Sequence, residues 1–272
     1  MSRKAFRKAI KKLFSGLIKL LPDNIKRALF LFSFKTTSEG SKDLLISQFD
    51  GIPNMGASLR NIKRQGFEAS AIIDCGAFEG NWTRLIKGVF PGAKILMIEA
   101  NPGKEAYLRK AKIEYPETVD YVIALLGAES GRLMQFCNME TGSSVFEEQS
   151  NVPRTFLTLT TKTLDEIVKE KKINDATFIK LDVQGSEIEV LKGAKEVLKK
   201  AEFVLLEVSL LEYNKGAPLF DKVVQFMADQ GFVLYDICHL QRWPQSGVLL
   251  QADVIFTRKE SKQRPVLFNS SL

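Results

Sequence analysis

The chain has 272 residues, 45% hydrophobic and 26% charged, with a formal net charge of +7, the balance of a folded protein with a sizeable core. That composition excludes a disordered chain, a collagen or a polytopic membrane protein. Three dispersed cysteines, Cys75, Cys137 and Cys238, exclude a disulfide scaffold or a zinc ribbon, and a single histidine, His239, excludes a His-rich metal centre.

The positive charge belongs to one end. Residues 1–34 carry nine Lys and Arg against Asp23 alone, which leaves the rest close to neutral and implies no nucleic-acid surface there. Within 3–21, Phe6, Ile10, Leu13, Leu17 and Leu20 recur at helical spacing, opposite a basic face, and Pro22 stops the run. Such a helix suits peripheral contact with an anionic membrane, packing on the domain, or targeting. It is too short in unbroken apolar length to span a bilayer. A second apolar patch covers 28–34, and a polar linker follows. The expected organisation is a basic amphipathic segment and linker at 1–41, a catalytic domain at 42–260 and a polar tail at 261–272. The thiol usage fits a reducing, cytoplasmic compartment, with the inner face of a membrane as the site of any peripheral contact.

From residue 70 short apolar runs alternate with amphipathic ones. Strands are predicted at 71–74, 94–99, 119–125, 177–182, 203–208, 232–237 and 252–257. Helices are predicted at 81–90, 103–114, 186–200 and 218–230. This alternation predicts an α/β fold with a doubly wound, mostly parallel, Rossmann-like sheet. Residues 126–161, with strand-like runs at 133–136 and 155–159, read as an insertion at the edge where substrates bind.

The run Ile72-Ile73-Asp74-Cys75-Gly76-Ala77-Phe78-Glu79-Gly80 ends the first strand and opens a helix. Gly76 permits a tight turn with close backbone approach, and Glu99, closing the next strand, suits the two hydroxyls of a ribose. The spacing departs from G-x-G-x-x-G, and Asp74 adds an anion, so a cationic sulfonium suits the loop better than a pyrophosphate. A nucleotide-dependent oxidoreductase and a non-catalytic scaffold remain the alternative readings.

Over about residues 59–257 the sequence resembles the FkbM family of class I methyltransferases, which use S-adenosylmethionine. The resemblance is carried by IIDCGAFEGNW (72–82), ILMIEANP (95–102), VIALLGAESGRLMQF (122–136), LTTKTLDEI (159–167), FIKLDVQGSEIEVLKGA (178–194) and LLEVS (205–209). It implies Asp74, Gly76, Ala77 and Gly80 around the methionine part of the cofactor and Glu99 on the ribose. Asn101 and the strand end Ala124–Leu125 would lie near the adenine. Two departures stand out: Glu79 where the family often has a small amide, and no acid at the end of the third strand. The implied reaction is O-methylation of a hydroxyl on a saccharide, glycan or secondary metabolite.

Methyl transfer requires alignment of the acceptor and removal of its proton. Asp182 and Glu207, at the ends of the fourth and fifth strands, and His239 are the catalytic candidates, and the two carboxylates also suggest a divalent-ion site. Lys180 alternates with Asp182 and shares its face. Glu187 falls in the first turn of a helix, where an acid complements the dipole. Gly142, Ser143, Ser144, Arg242 and Trp243 are acceptor-pocket candidates, and Cys75 reads as packing.

Overall fold

The computed structural model describes residues 53–139, 142–146, 154–212 and 214–264, with several positions between 21 and 32. The chain divides into two compact units, Met1–Ile52 and Pro53–Leu272. The amphipathic segment expected at 3–21 and the patch at 28–34 fall almost entirely outside the described residues. Among those residues no helix is long and apolar enough to cross a membrane.

The second unit opens with α1 (Met55–Arg64), which the sequence reading did not separate from the linker; the Asn54 side chain accepts from Ala57 N–H at 2.7 Å to cap it. There follow β1 (Ala71–Cys75), α2 (Asn81–Val89), β2 (Lys94–Glu99), α3 (Glu105–Glu114), β3 (Val119–Ile123) and β4 (Leu125–Leu126). Then come β5 (Leu133–Asn138), β6 (Thr155–Lys162), α4 (Leu164–Glu170), β7 (Ala176–Leu181), α5 (Glu187–Lys192) and α6 (Lys195–Lys200). The chain continues through β8 (Phe203–Ser209), α7 (Phe220–Asp229), β9 (Phe232–Arg242) and β10 (Leu249–Arg258).

Seven strands form one sheet in the order β3-β2-β1-β7-β8-β10-β9. The first five are parallel, whereas β10 runs antiparallel between β8 and β9. Apolar residues on both sides of β1 are buried, as expected of a parallel sheet covered on two faces. Ile73, Leu96, Ile179 and Val204 pack under α4 to α7, while Ile72, Met97, Phe178 and Phe203 pack against α1, α2 and α3. The strand order reverses between β1 and β7, and this reversal opens the crevice where α/β sheets bind ligands.

Four boundaries differ from those predicted. The strand expected at 119–125 breaks at Ala124: its N–H bonds the Glu99 carbonyl at 2.9 Å, and Leu125 then pairs with Thr161 in a separate sheet, β4-β6-β5. The helix expected at 186–200 is two, split at Gly193, where a Cβ would come within 2.3 Å of the Gly127 carbonyl oxygen. Helix α4 was missed although Thr163 and Glu166 have capping-box spacing; Thr163 Oγ1 accepts from Glu166 N–H at 3.2 Å. Strand β9 runs on to Arg242, so His239 sits in an edge strand rather than in the loop after it.

Candidate active site

The loop from β1 to α2 is fixed by its glycines. Gly76 has φ +71°, its N–H bonds Ile98 O at 2.9 Å, and a Cβ there would stand 1.8 Å from the Asp182 carbonyl oxygen. The loop backbone therefore lies against the chain leaving β7, an approach only glycine permits. Gly80, φ +73°, precedes α2 with Met97 Sδ and Ala111 Cβ 3.3 Å from where its Cβ would be. Between them Phe78 holds φ +49°, uncommon for an aromatic residue, and its N–H is turned onto Glu99 Oε2 at 2.8 Å.

Glu99 is buried at the end of β2, and its other oxygen accepts from Asn101 N–H at 2.8 Å. Burial pushes its pKa up, and the two backbone donors oppose that. Each carboxyl oxygen keeps acceptor capacity, and Glu99 lines a cavity of about 570 Å³ together with Gly76, Phe78, Ala124 and Leu125. Asp74, Ala77 and Gly80 are not on that wall. Asp74 is buried behind the loop, accepting from Thr83 Oγ1 at 2.7 Å and standing 3.3 Å from Lys180 Nζ. Asn101 also serves structure: its Oδ1 accepts from Gly103 N–H at 2.9 Å and its Nδ2 donates to Asn138 Oδ1 at 2.6 Å, tying β2 to the insertion. Glu79 pairs with Lys104 at 3.3 Å, and that ammonium lies 4.0 Å from the Phe78 ring centre.

The other end of the cavity carries Asp182 and Glu207. Gln184, itself in the left-handed region at φ +53°, bridges them: its Nε2 donates to Asp182 Oδ1 at 2.9 Å and to Glu207 Oε1 at 2.6 Å. Gln251 Nε2 adds a second bond to Glu207 Oε1 at 2.8 Å. The Gln184 carbonyl accepts from Ser144 Oγ at 2.7 Å and Asn214 Nδ2 at 2.9 Å, so the insertion and the segment after β8 both hold this turn. Burial, then Asp182 and Asp253, raise Glu207 well above the ordinary carboxylate range. Gly142, Ser143, Ser144 and Trp243 line the same cavity, whereas Arg242 is turned to the Gly247 carbonyl at 3.0 Å. Cys75 is a buried free thiol, as its packing role requires.

The structure does not bring His239 to this wall. It is exposed on β9, with Nδ1 3.4 Å from Asp253 Oδ2. Among the described residues no group of three or more His, Cys, Asp or Glu side chains is arranged to hold a metal ion.

Glu187 is buried, and its Oε1 accepts from Val183 and Gly185 N–H at 3.1 and 3.2 Å, an arrangement that shapes the turn after β7. Burial pushes its pKa up to about 7. The folded state thus keeps this proton where the unfolded chain has lost it, and stability falls as pH rises from about 4.5 through about 7. Glu187→Gln keeps the acceptor oxygen and removes the charge. It is expected to raise stability at pH 8 by as much as about 3 kcal/mol and to flatten the dependence between those pH values, read by urea unfolding. An unchanged pH profile would show that Glu187 ionises in the fold as freely as in the unfolded chain.

Residues 74–234 match the family described as the methyltransferase FkbM domain. The chain belongs to the FkbM methyltransferase family. It is also similar to the hexuronic acid methyltransferase AglP of Haloferax volcanii, 28% identical over 85 residues that cover 29% of this chain and 36% of AglP. The match thus spans about a third of that relative's length. Among solved structures it is similar to methyltransferase FkbM from Methylobacillus flagellatus, with 16% identity, a TM-score of 0.46, and 68% of this chain and 43% of that one covered. Fibrillarin of Aeropyrum pernix, solved with S-adenosyl-L-methionine natively bound, follows with 10% identity, a TM-score of 0.41 and coverage of 72% and 74%.

The FkbM match includes the glycine loop, Glu99, Asp182, Gln184 and Glu207, and stops within β9. Gln241, Trp243 and Gln251, which line the same cavity, come after it. Sequence reasoning passed over Gln184 and Gln251. Gln184 had a usable signal in its place between Asp182 and Gly185, at a strand end; Gln251 had none, because its contact with Glu207 depends on β10 entering the sheet beside β8.

Proposed function

We propose that the protein is an S-adenosylmethionine-dependent O-methyltransferase acting on a hydroxyl of a saccharide or similar polyhydroxy compound. The observation that carries this reading is one cavity with Glu99, pinned on both oxygens, at one end and the bridged pair Asp182 and Glu207 at the other. The donor set fits the cofactor: Glu99 retains acceptor capacity for two ribose hydroxyls, Ala124 and Leu125 offer an apolar surface to the adenine, and Gly76 brings bare backbone toward the methionine end. Asp74, Ala77 and Gly80 act on it by holding the loop, and Asn101 by anchoring the end of β2. When bound, the cofactor supplies a methyl group already activated on a sulfonium.

The acceptor hydroxyl must lose its proton as its oxygen takes that methyl. Glu207 is the group placed to receive it: two amides hold Oε1, and its raised pKa makes it a stronger base than an ordinary carboxylate. Asp182, held through Gln184, orients the hydroxyl. The AglP likeness, to a methyltransferase named for a sugar acid, supports a saccharide acceptor.

Calorimetric titration with S-adenosylhomocysteine tests the cofactor site. Wild type is expected to bind at about micromolar Kd, and Glu99→Ala to lose about 10- to 100-fold, the worth of charge-assisted bonds to a ribose. A folded wild type that does not bind would move the scaffold reading to the front.

A further inference from the structure

We infer that the acceptor end of the cavity selects its saccharide by charge, taking a ring that bears a protonated amine ahead of a neutral ring and rejecting one that bears a carboxylate, a preference opposite to that implied by the sugar acid in the name of AglP. The inference rests on the methyltransferase reading and narrows its substrate class. Asp182 and Glu207 both face the cavity, and the two groups that hold them, the Gln184 and Gln251 amides, orient negative charge without cancelling it. Asp253 is the direct cross-strand partner of Glu207, and Glu187 adds a further acid from the start of α5. Lys180 is the cation within this group, and its charge is shared: Nζ lies 3.3 Å from Asp74 Oδ1 and 3.5 Å from Asp182 Oδ2, and donates to the Gly76 carbonyl at 2.9 Å. The ammonium is thus turned to the loop.

A ligand carboxylate brought against Asp182 and Glu207 meets like charge. An ammonium there gains what the carboxylate loses. Burial and the neighbouring acids raise the pKa values of Glu207 and Asp253, against the pull of Lys180 and, on Asp253, of His239. An amine-bearing ligand therefore displaces a proton on binding, and a carboxylate-bearing one requires another to be taken up.

The experiment uses the full chain saturated with S-adenosylhomocysteine and titrates methyl glucosaminide, methyl glucoside and methyl glucuronide at pH 7. The glucosaminide is expected to bind at least about tenfold tighter than the glucoside, with net proton release in buffers of different ionisation enthalpy, and the glucuronide at least about tenfold weaker. Gln241→Arg, a change at an exposed position of the cavity rim, is expected to narrow the gap between glucuronide and glucoside. Glucuronide binding as tight as the glucosaminide in wild type overturns the inference, and so does failure of all three sugars to bind. Failure of S-adenosylhomocysteine itself would instead overturn the methyltransferase reading beneath it.

Discussion

Gly76→Ala should remove S-adenosylhomocysteine binding almost entirely, by more than about 100-fold, while leaving a folded if less stable protein. Two costs meet at this residue. The left-handed backbone, φ +71°, costs a residue with a Cβ roughly 1–2 kcal/mol. The larger cost is collision: the new carbon would sit 1.8 Å from the Asp182 carbonyl oxygen and 2.8 Å from its carbon, backbone that cannot rotate away. Relief requires the β1–α2 loop and the end of β7 to part. That movement displaces Phe78 N–H from Glu99 at one end of the cavity and Asp182 from its Gln184 bridge at the other. Gly66→Ala separates the two costs, because Gly66 has φ +90° with open space where its Cβ would go. It should lower the melting temperature and leave binding intact. Titration and thermal melts on both variants decide the matter, and wild-type binding by Gly76→Ala would mean that the loop is not the cofactor's cradle.

What the sequence made legible follows from what local pattern can encode. The strand and helix alternation, the glycine loop and the acid closing β2 are properties of neighbouring residues, and the structure has them where expected. Asp182 and Glu207 were found because strand ends are visible in a sequence and the crevice of a doubly wound sheet lies beyond them. The misses depend on contacts between distant segments. Gly193 looks like one more helical residue until the Gly127 carbonyl packs on it. His239 looked like a loop base because the apolar run ends near Ile237, yet pairing with β10 carries β9 five residues further. Gln184 is polar, sits in a turn and would pass for solvated; only the neighbouring position of β7 and β8 makes its amide a bridge.

Lys180 and Asp74 show the same limit from the other side, and their separation should be strongly destabilising. Parity along β7 placed Lys180 on the face of Asp182, but its nearest acid is Asp74, which the parallel register of β1 and β7 sets directly across from it. Burial presses the ammonium toward neutrality, and Asp74 and Asp182 more than reverse this, so its pKa is raised and the charge persists inside the fold. Asp74 Oδ1 has no hydrogen bond, and the ammonium at 3.3 Å is what balances it. Lys180→Met, close in length and apolar, strands that buried carboxylate at a cost of about 3–5 kcal/mol. It also frees the Gly76 carbonyl, which loses its 2.9 Å donor, so cofactor affinity should fall with stability. Asp74→Asn combined with Lys180→Met should recover much of the lost stability, since a neutral amide needs no counter-charge and can still accept from Thr83. The deficit of the single variant should shrink at acid pH, where the stranded carboxyl can take a proton, and should reach its full size at pH 8. Urea unfolding of the two single variants and the double variant at pH 5 and 8 measures all three effects. Strict additivity at both pH values would mean that the pair does not act as an ion pair.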